Sequence, residues 1–174
     1  MNFVDLSQDA LTCCTDQLNA CTDGNKTIAH GAVAIFNCMR MKCNNGSLEG
    51  IAEPKGGNFR FLSYQLGCLY VHQVAMNWQS ARENCQSYGA DLYVPDHDQD
   101  VMALRNYVKI LGGSSYWIGI NSLLWTNGKA VNLTVWDIGQ PDGKTECGMF
   151  LNDVSYNVHD NLCTVAYYSV CQFK

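Results

Sequence analysis

The sequence contains no run of Lys or Arg, and its 11 basic residues are outnumbered by 16 acidic ones. The formal net charge of -5 at pH 7 disfavours nucleic acids and anionic membrane surfaces as partners. Long apolar runs are also missing, because the longest, residues 28–36, is far shorter than the roughly 20 residues of a membrane-spanning helix. Residues 1–6 lack the basic start and the apolar run of a signal peptide. We therefore expect a chain that neither spans a membrane nor binds nucleic acid.

The usual signatures of catalysis are absent as well. The sequence has no Ser-His-Asp or Cys-His pattern, no glycine-rich phosphate loop with its lysine and no zinc-binding helix motif. Its four histidines are scattered at spacings that do not form a site, at positions 30, 72, 97 and 159. These absences predict a binding module rather than an enzyme.

Cysteine, in contrast, is abundant, with ten copies in 174 residues. No C-x2-C pair is matched to a second one, so the cysteines indicate disulfide bonds and an oxidising compartment rather than zinc. Three glycosylation sequons agree with this interpretation, and they begin at Asn25, Asn45 and Asn132. We expect a secreted, extracellular glycoprotein.

Residues 1–43 are predicted to form a small helical hairpin. Apolar residues recur at spacings of three and four over residues 7–21 and again over residues 27–41, which is typical of amphipathic helices. Helices this short do not bury enough surface alone, so we interpret the cysteines of this part as disulfide staples: Cys13, Cys14, Cys21, Cys38 and Cys43. The hairpin is also a candidate contact for a homo-oligomer, which would multiply a weak single-site affinity. Residues 44–58, rich in Asn, Gly and Ser, are predicted to be a linker.

Residues 59–174 have the pattern of a mixed α and β domain. Alternating and aromatic residues over 60–71 predict an opening pair of strands, with Cys68 in the second strand. Two helices are predicted, one over 77–87 that is capped by its first residue and one over 98–111. Short strands and long loops are expected after the second helix.

Three tryptophans within twenty residues organise this domain, and they are Trp117, Trp125 and Trp136. Each stands beside a turn signal, so we predict short strands whose large rings build one core while the intervening loop stays polar. The first belongs to a tryptophan-isoleucine-glycine motif at 117–119, and the last precedes a glutamine-proline-aspartate loop at 140–142. Together with four cysteines in the family's order, these motifs resemble a C-type lectin-like domain over about residues 61–174.

The resemblance implies an α+β fold with two helices, short antiparallel strands and a long loop region. It also implies two disulfide bonds, which are Cys85–Cys171 and Cys147–Cys163. In longer members of the family, the cysteine at the place of Cys68 pairs with one about eleven residues upstream, where this chain has Gly57. We therefore expect Cys68 to bond to a cysteine of residues 1–43. The six cysteines outside the two implied bonds leave fifteen pairings open.

The best-known site of the resembled family is a calcium ion held by side-chain oxygens, to which two neighbouring sugar hydroxyls also bind. Gln140 and Asp142 flank a proline that is cis in the family, and their order resembles the galactose-type motif rather than the mannose-type one. Asp160 is in register for a further ligand. Glu146 stands one residue nearer to the next cysteine than the family's glutamate does. The resemblance thus implies calcium and a galactose-type glycan at these four residues.

Two further positions depart from the family's pattern. His159 occupies the place of an asparagine ligand, and an imidazole nitrogen suits zinc or copper better than calcium. A solvated loop histidine is the plainer interpretation of that residue. Tyr156 is the nearby downstream aromatic that could stack on a sugar, although it could instead pack at the base of the loop.

Two functions therefore stay open. The first is a secreted, calcium-dependent lectin that recognises glycans with a galactose-type preference. The second is a calcium-independent protein-binding or structural member of the same fold. In that case, residues 140–142 form only a turn, and Asp160 bonds to local backbone.

Overall fold

The structure, a computed structural model, describes residues 19–23, 26–56, 58–63, 65–143, 146–153 and 155–174. The chain divides into two units, Met1–Glu53 and Pro54–Lys174. Their boundary falls inside residues 44–58, where the linker was predicted. Within the described ranges, no helix combines the length and the apolar character needed to cross a bilayer.

In the amino-terminal unit, the described elements are β-strands. Strands β1 (Cys21–Asp23) and β2 (Lys26–Ile28) form an antiparallel hairpin. A three-stranded antiparallel sheet follows, in the order β3 (Val33–Phe36), β4 (Met39–Asn44) and β5 (Ser47–Ala52).

The predicted helix over residues 27–41 is wrong, because these residues contain β3 and parts of β2 and β4. Asn37 and Cys38, between β3 and β4, have φ values of 45° and 62°, which lie outside the α-helical region. They form a two-residue hairpin turn, and Asn45 and Gly46 do the same between β4 and β5, with φ values of 46° and 82°. Turn chemistry thus outweighs the apolar spacing. The predicted linker is corrected for the same reason, since β5 lies within it.

The other predicted helix, over residues 7–21, lies outside the described residues except at its end, where Cys21 begins β1. Cys21 forms a disulfide bond with Cys43 of β4, and both cysteines are buried beside Ile28. Cys38 is disulfide-bonded as well. The described part of this unit is therefore stapled by disulfides, as predicted, but the stapled elements are strands rather than helices.

The carboxy-terminal unit contains two helices and one large sheet in the part of the chain that the structure describes. Its elements are β6 (Arg60–Ser63), β7 (Gly67–Met76), α1 (Trp78–Ser87), β8 (Asp91–Leu92), α2 (Asp100–Leu111), β9 (Tyr116–Asn121), β10 (Leu124–Trp125), a 3-10 turn (Leu133–Val135), β11 (Cys147–Phe150), β12 (Val158–Asn161) and β13 (Tyr167–Phe173). The sheet runs in the order β12-β11-β9-β13-β7-β6, with β10 paired to β9 and β8 paired to β13. Pairing is antiparallel except between β13 and β9.

The helices and the opening strands of this unit confirm the predictions made from local sequence signals. β6 and β7 form the opening pair, and Cys68 lies in β7. α1 begins after Asn77, whose side-chain oxygen accepts a hydrogen bond from the backbone N–H of Ser80 at 2.8 Å. α2 begins at Asp100, two residues later than predicted.

The three tryptophans are buried, but they lie in two hydrophobic clusters rather than in the single predicted core. Trp125 and Trp136 belong to the cluster that includes the buried face of α2, whereas Trp117 belongs to the cluster of α1 and the disulfides. Alternation along β9 is the reason, because it directs neighbouring side chains to opposite faces of the sheet. Gly119 completes the motif, since a Cβ at this position would lie 2.9 Å from the carbonyl oxygen of Tyr93.

Both disulfide bonds implied by the resemblance are present. Cys85 of α1 bonds to Cys171 of β13, and Cys147 of β11 bonds to Cys163, which precedes β13. Cys68 is disulfide-bonded as well. Its bond to a cysteine of the amino-terminal part remains a prediction.

Candidate functional site

The loop between β10 and β11 carries three of the predicted ligands, Gln140, Asp142 and Glu146, and β12, which supports this loop, carries Asp160. Trp136 forms a parallel β-bridge with Val158 of β12, and the backbone N–H of Asp137 donates to the Val158 carbonyl at 2.9 Å. A turn follows, closed by a hydrogen bond of 2.9 Å from the Gln140 N–H to the Asp137 carbonyl. The glutamine-proline-aspartate motif therefore starts directly after the point at which β12 anchors the loop.

Two of the predicted ligands, Asp142 and Asp160, are in contact at this end of the loop, and Gln140 lies close to them in sequence. The backbone N–H of Asp142 donates to Oδ1 of Asp160, on β12, at 3.2 Å. Gln140 precedes Asp142 by two residues, and the Gln140–Pro141 peptide bond is cis. Oε1 of Gln140 is buried and has no hydrogen-bond partner among the residues that the structure describes. Because buried polar atoms are normally paired, this oxygen is an acceptor that a bound ligand or cation would satisfy.

Glu146, the fourth predicted ligand, is not joined to the other three by any described contact. Its side chain is exposed, and its backbone carbonyl accepts a hydrogen bond from the Ser122 N–H at 2.8 Å. The preceding residues, 144 and 145, lie outside the described ranges. Among the residues that the structure describes, no group of three or more His, Cys, Asp and Glu side chains is arranged to hold a metal ion. The described ligands are therefore not gathered into one acidic cluster.

His159 faces a neighbouring aspartate instead of the predicted ligands. Its Nε2 lies 3.1 Å from Oδ2 of Asp137. Asn157 donates from Nδ2 to Oδ1 of the same aspartate at 2.7 Å, and Arg105 of α2 donates from Nη1 to Oδ1 of Asn157 at 2.8 Å. A chain of four side chains thus connects α2, the start of β12 and the loop.

These contacts also set the charge of Asp137. A hydrogen bond from the backbone N–H of Ile138 is the main cause that lowers the pKa of the Asp137 carboxyl, and Asn157 and His159 lower it further. The carboxylate is therefore ionised at neutral pH and faces the histidine ring. Sequence reasoning missed this anchor, because its partners are 20 and 22 residues away and the strand register was unknown. The available signal was the alternation of positions 157 and 159, which places both on one face of a strand.

Tyr156 is not available for stacking on a sugar. Its side chain is 5% exposed, its hydroxyl donates to Oδ1 of Asn152, and its ring centroid lies 6.4 Å from that of Tyr116. Oδ1 of Asp153 accepts a hydrogen bond from the Tyr156 N–H at 2.8 Å and fixes the turn. The burial of Tyr156 disagrees with the predicted stacking role and agrees with the alternative, in which the ring packs inside the domain.

Two of the three predicted glycosylation sites lie in the described part of the chain. Asn45 is exposed in the turn between β4 and β5, and Asn132 is exposed directly before the 3-10 turn. Both are accessible to a modifying enzyme. Asn25 lies outside the described residues.

Comparisons with known proteins agree with this architecture. The family model described as the lectin C-type domain matches residues 74–173, which is more than half of the chain. C-type lectin domain family 3 member A of Mus musculus is 30% identical over 117 residues, which cover 61% of this chain and 59% of that protein. Early activation antigen CD69 of Homo sapiens is 31% identical over 77 residues, which cover 41% of this chain and 37% of that protein. The chain therefore spans less than two thirds of these relatives.

Solved structures show the same fold at low sequence identity. Human lithostathine superposes with a TM-score of 0.57 at 21% identity, covering 65% of this chain and 87% of its own. A structure titled as an SPL-1 complex with GlcNAc gives a TM-score of 0.58 at 18% identity, covering 65% of this chain and 90% of its own. Together with the motifs, the disulfide bonds and the sheet order, the family match establishes that this chain belongs to the C-type lectin domain family.

Proposed function

We propose that the carboxy-terminal unit is a secreted carbohydrate-binding domain whose site centres on Gln140, Asp142 and Asp160. The observation that carries this proposal is the hydrogen bond between the Asp142 N–H and Oδ1 of Asp160, which joins the loop to β12. The buried, unpartnered Oε1 of Gln140 lies in the same loop and adds an unused acceptor. This constellation binds rather than transforms its ligand, because it contains neither a nucleophile nor a general base paired with one.

The proposal includes dependence of sugar binding on calcium. The side chains of Gln140, Asp142, Glu146 and Asp160 are the proposed calcium ligands, and their oxygen atoms match what a hard cation prefers. Bound calcium would supply a positive charge to which sugar hydroxyls coordinate. His159 is left out of the proposed ligand set, because its Nε2 pairs with Asp137.

Galactose is the proposed sugar class, since Gln140 precedes Asp142 in the motif. An amide at the first position and a carboxylate at the second fix which sugar hydroxyl donates a hydrogen bond and which one accepts. Glycan binding occurs among proteins of this fold, since solved structures with it include an SPL-1 complex with GlcNAc and the C-type lectin domain of murine dendritic cell inhibitory receptor 2 in complex with N-glycan.

Calcium-independent recognition is the second candidate function, and two observations favour it. His159 stands where the family has an asparagine ligand, and its Nε2 pairs with Asp137. In addition, the described side chains contain no three-membered acidic or histidine cluster for a metal. One solved structure of this fold is titled a calcium-independent type II antifreeze protein.

Calorimetry with galactose distinguishes the two functions. The calcium-dependent lectin predicts heat of binding at millimolar calcium, no heat after chelation and loss of binding in Asp160→Ala. Asp98→Ala is a suitable control, because Asp98 is exposed and distant in sequence from the loop. Galactose binding that persists in chelator would exclude the calcium part. No heat with galactose or other neutral sugars in either condition would exclude the loop as a sugar site.

Secretion, glycosylation and oligomer formation are the remaining parts of the proposal. Expression in a secreting eukaryotic cell should yield glycans at Asn45 and Asn132, both of which are exposed. Mass spectrometry before and after glycan removal checks this. Light scattering of the full chain and of a variant without residues 1–53 tests whether the amino-terminal unit joins copies of the chain.

A further inference from the structure

A cleft of about 240 Å³ lies at the end of the sheet opposite to β12, where α2 approaches β6 and β7. It arises from unequal strand lengths, because β6 has four residues and β7 has ten. β6 pairs with β7 only as far as Leu69. The cleft has the volume of about eight water molecules at about 30 Å³ each, which is enough for one sugar ring.

Strand register decides which side chains face this cleft. Arg60 lies directly opposite Leu69 in the antiparallel pair, so their side chains share one face of the sheet. Alternation along β7 places Gln73 on the same face. Tyr107 and Leu111 are four residues apart on α2 and therefore share one side of the helix. All five residues line the cleft.

Arg60 gives the cleft a positive charge. The residue is exposed, and within the described part of the chain it forms no salt bridge and no side-chain hydrogen bond. No acidic side chain is among the described residues that line the cleft. Although the chain has a net charge of -5, this guanidinium provides a local positive charge that attracts an anion. Carboxylate and sulfate groups match its planar fork through two parallel N–H bonds.

The other lining groups suit a sugar ring. The amides of Asn58 and Gln73 and the hydroxyl of Tyr107 offer donors and acceptors to sugar hydroxyls. Leu69 and Leu111 also line the cleft and add apolar surface for the C–H face of the ring. Polar groups beside apolar surface suit a sugar ring, which has both hydroxyl groups and C–H groups.

We propose that this cleft binds an acidic sugar residue, one that carries a carboxylate or a sulfate, through the guanidinium of Arg60. The site lies on different elements from Gln140 and Asp160, and it needs no calcium. The sugar part of this ligand class rests on the proposed carbohydrate-binding function, whereas the anionic part rests on Arg60.

The test titrates the full chain in chelator with glucuronic acid, galactose 6-sulfate, galactose, inorganic sulfate and a glutamate-containing dipeptide. Two-dimensional NMR of the side-chain amides follows Gln73 as the reporter. We expect saturable shifts at Gln73 with both acidic sugars and at least tenfold weaker binding of the other three compounds. Arg60→Gln should weaken the acidic sugars at least tenfold, because the charge-assisted pair is lost.

Lys129→Gln is the matched control, since it removes an equal charge from an exposed lysine outside the cleft. It should bind the acidic sugars like the wild type. Wild-type affinity in Arg60→Gln, with an unchanged melting temperature, would overturn the proposal. Equal affinity for the dipeptide would overturn the sugar assignment and leave an acidic-peptide site.

The proposal for the cleft and the proposal for the loop site can be rejected independently of each other. Acidic sugars in chelator test the cleft, whereas galactose with calcium tests the loop. Shifts at Gln73 without any galactose heat would sustain the cleft and reject the proposed calcium site. Heat of galactose binding without shifts at Gln73 would support the loop site and reject the cleft.

Discussion

Removing the Cys147–Cys163 disulfide bond tests whether the candidate site depends on one crosslink. This bond closes the segment that carries β12 and Asp160, and its cysteines are separated by 16 positions. The matched comparison is the Cys85–Cys171 bond, which joins α1 to β13 over a separation of 86. Each pair is replaced by alanines in a double variant.

The expected loss of stability follows from loop length. The chain-entropy relation gives about 3 kcal/mol for the shorter loop and about 4.5 kcal/mol for the longer one at 25 °C. In a unit of this size, 1 kcal/mol corresponds to about 3 to 5 °C of melting temperature. We therefore expect decreases of about 10 to 15 °C for Cys147→Ala/Cys163→Ala and about 15 to 20 °C for Cys85→Ala/Cys171→Ala.

The expected effect on galactose affinity has the opposite order. Cys147→Ala/Cys163→Ala should lose more affinity than Cys85→Ala/Cys171→Ala, although it should lose less stability. Without the shorter crosslink, β12 loses its covalent tie to β11, so the contact between Asp160 and Asp142 opens more often. The longer crosslink joins α1 to β13, which does not neighbour β12 in the sheet, although the segment that it closes includes the loop site. Scanning calorimetry measures the melting temperatures, and titration with galactose and calcium at a temperature where both variants are folded measures affinity. A lower melting temperature for the short-loop variant would refute the loop-length argument, and wild-type affinity in that variant would refute the role of the crosslink at the site.

Three further predictions follow from single residues. Gly119→Ala should destabilise the fold by about 1 to 3 kcal/mol, because the added Cβ would lie 2.9 Å from the Tyr93 carbonyl oxygen, and unchanged urea unfolding would contradict that contact. The lowered pKa of Asp137 means that its carboxylate stabilises the fold above the ordinary carboxyl pKa of about 4 and stops doing so as the pH falls through the lowered value. Asp137→Asn should therefore show a shallower loss of stability than the wild type in acid unfolding curves, and parallel curves would speak against the assignment. Peptide mapping without reduction should find Cys68 linked to a cysteine of residues 1–43, whereas a link to a cysteine of the carboxy-terminal unit would show the pairing to be wrong.

The part of the fold that the sequence predicted well has local causes. Asn77 caps α1 through a hydrogen bond three residues along the chain, and such a signal is visible without tertiary contacts. The apolar spacing over residues 27–41 gave a wrong prediction, because the left-handed pair Asn37 and Cys38 forms a hairpin turn inside this segment. Periodicity alone does not separate short strands from short helices in such a segment.

The candidate site was predictable in its residue types but not in its contacts. Gln140, Asp142 and Asp160 were identified by their places in a motif, and the structure brings the two aspartates together. The partner of His159 was not predictable, because it depends on how a loop lies against β12. The burial of Tyr156 depends in the same way on packing against Tyr116, which lies 40 positions earlier in the sequence.

The anchoring of the loop on β12 has a consequence for local opening of the chain. The Asp137 N–H is bonded to the Val158 carbonyl of β12, so this amide is protected while the loop stays on the strand; the Gln140 N–H is bonded to the Asp137 carbonyl, so this amide is protected while the turn of the loop stays closed. A ligand held by both Asp142 and Asp160 would act as a second tie between loop and strand. Amide hydrogen exchange at positions 137 and 140 should then slow when ligand is added, while exchange in α1 stays unchanged. Slower hydrogen exchange at these two backbone amides would thus show that the loop site is occupied, although neither amide contacts the ligand.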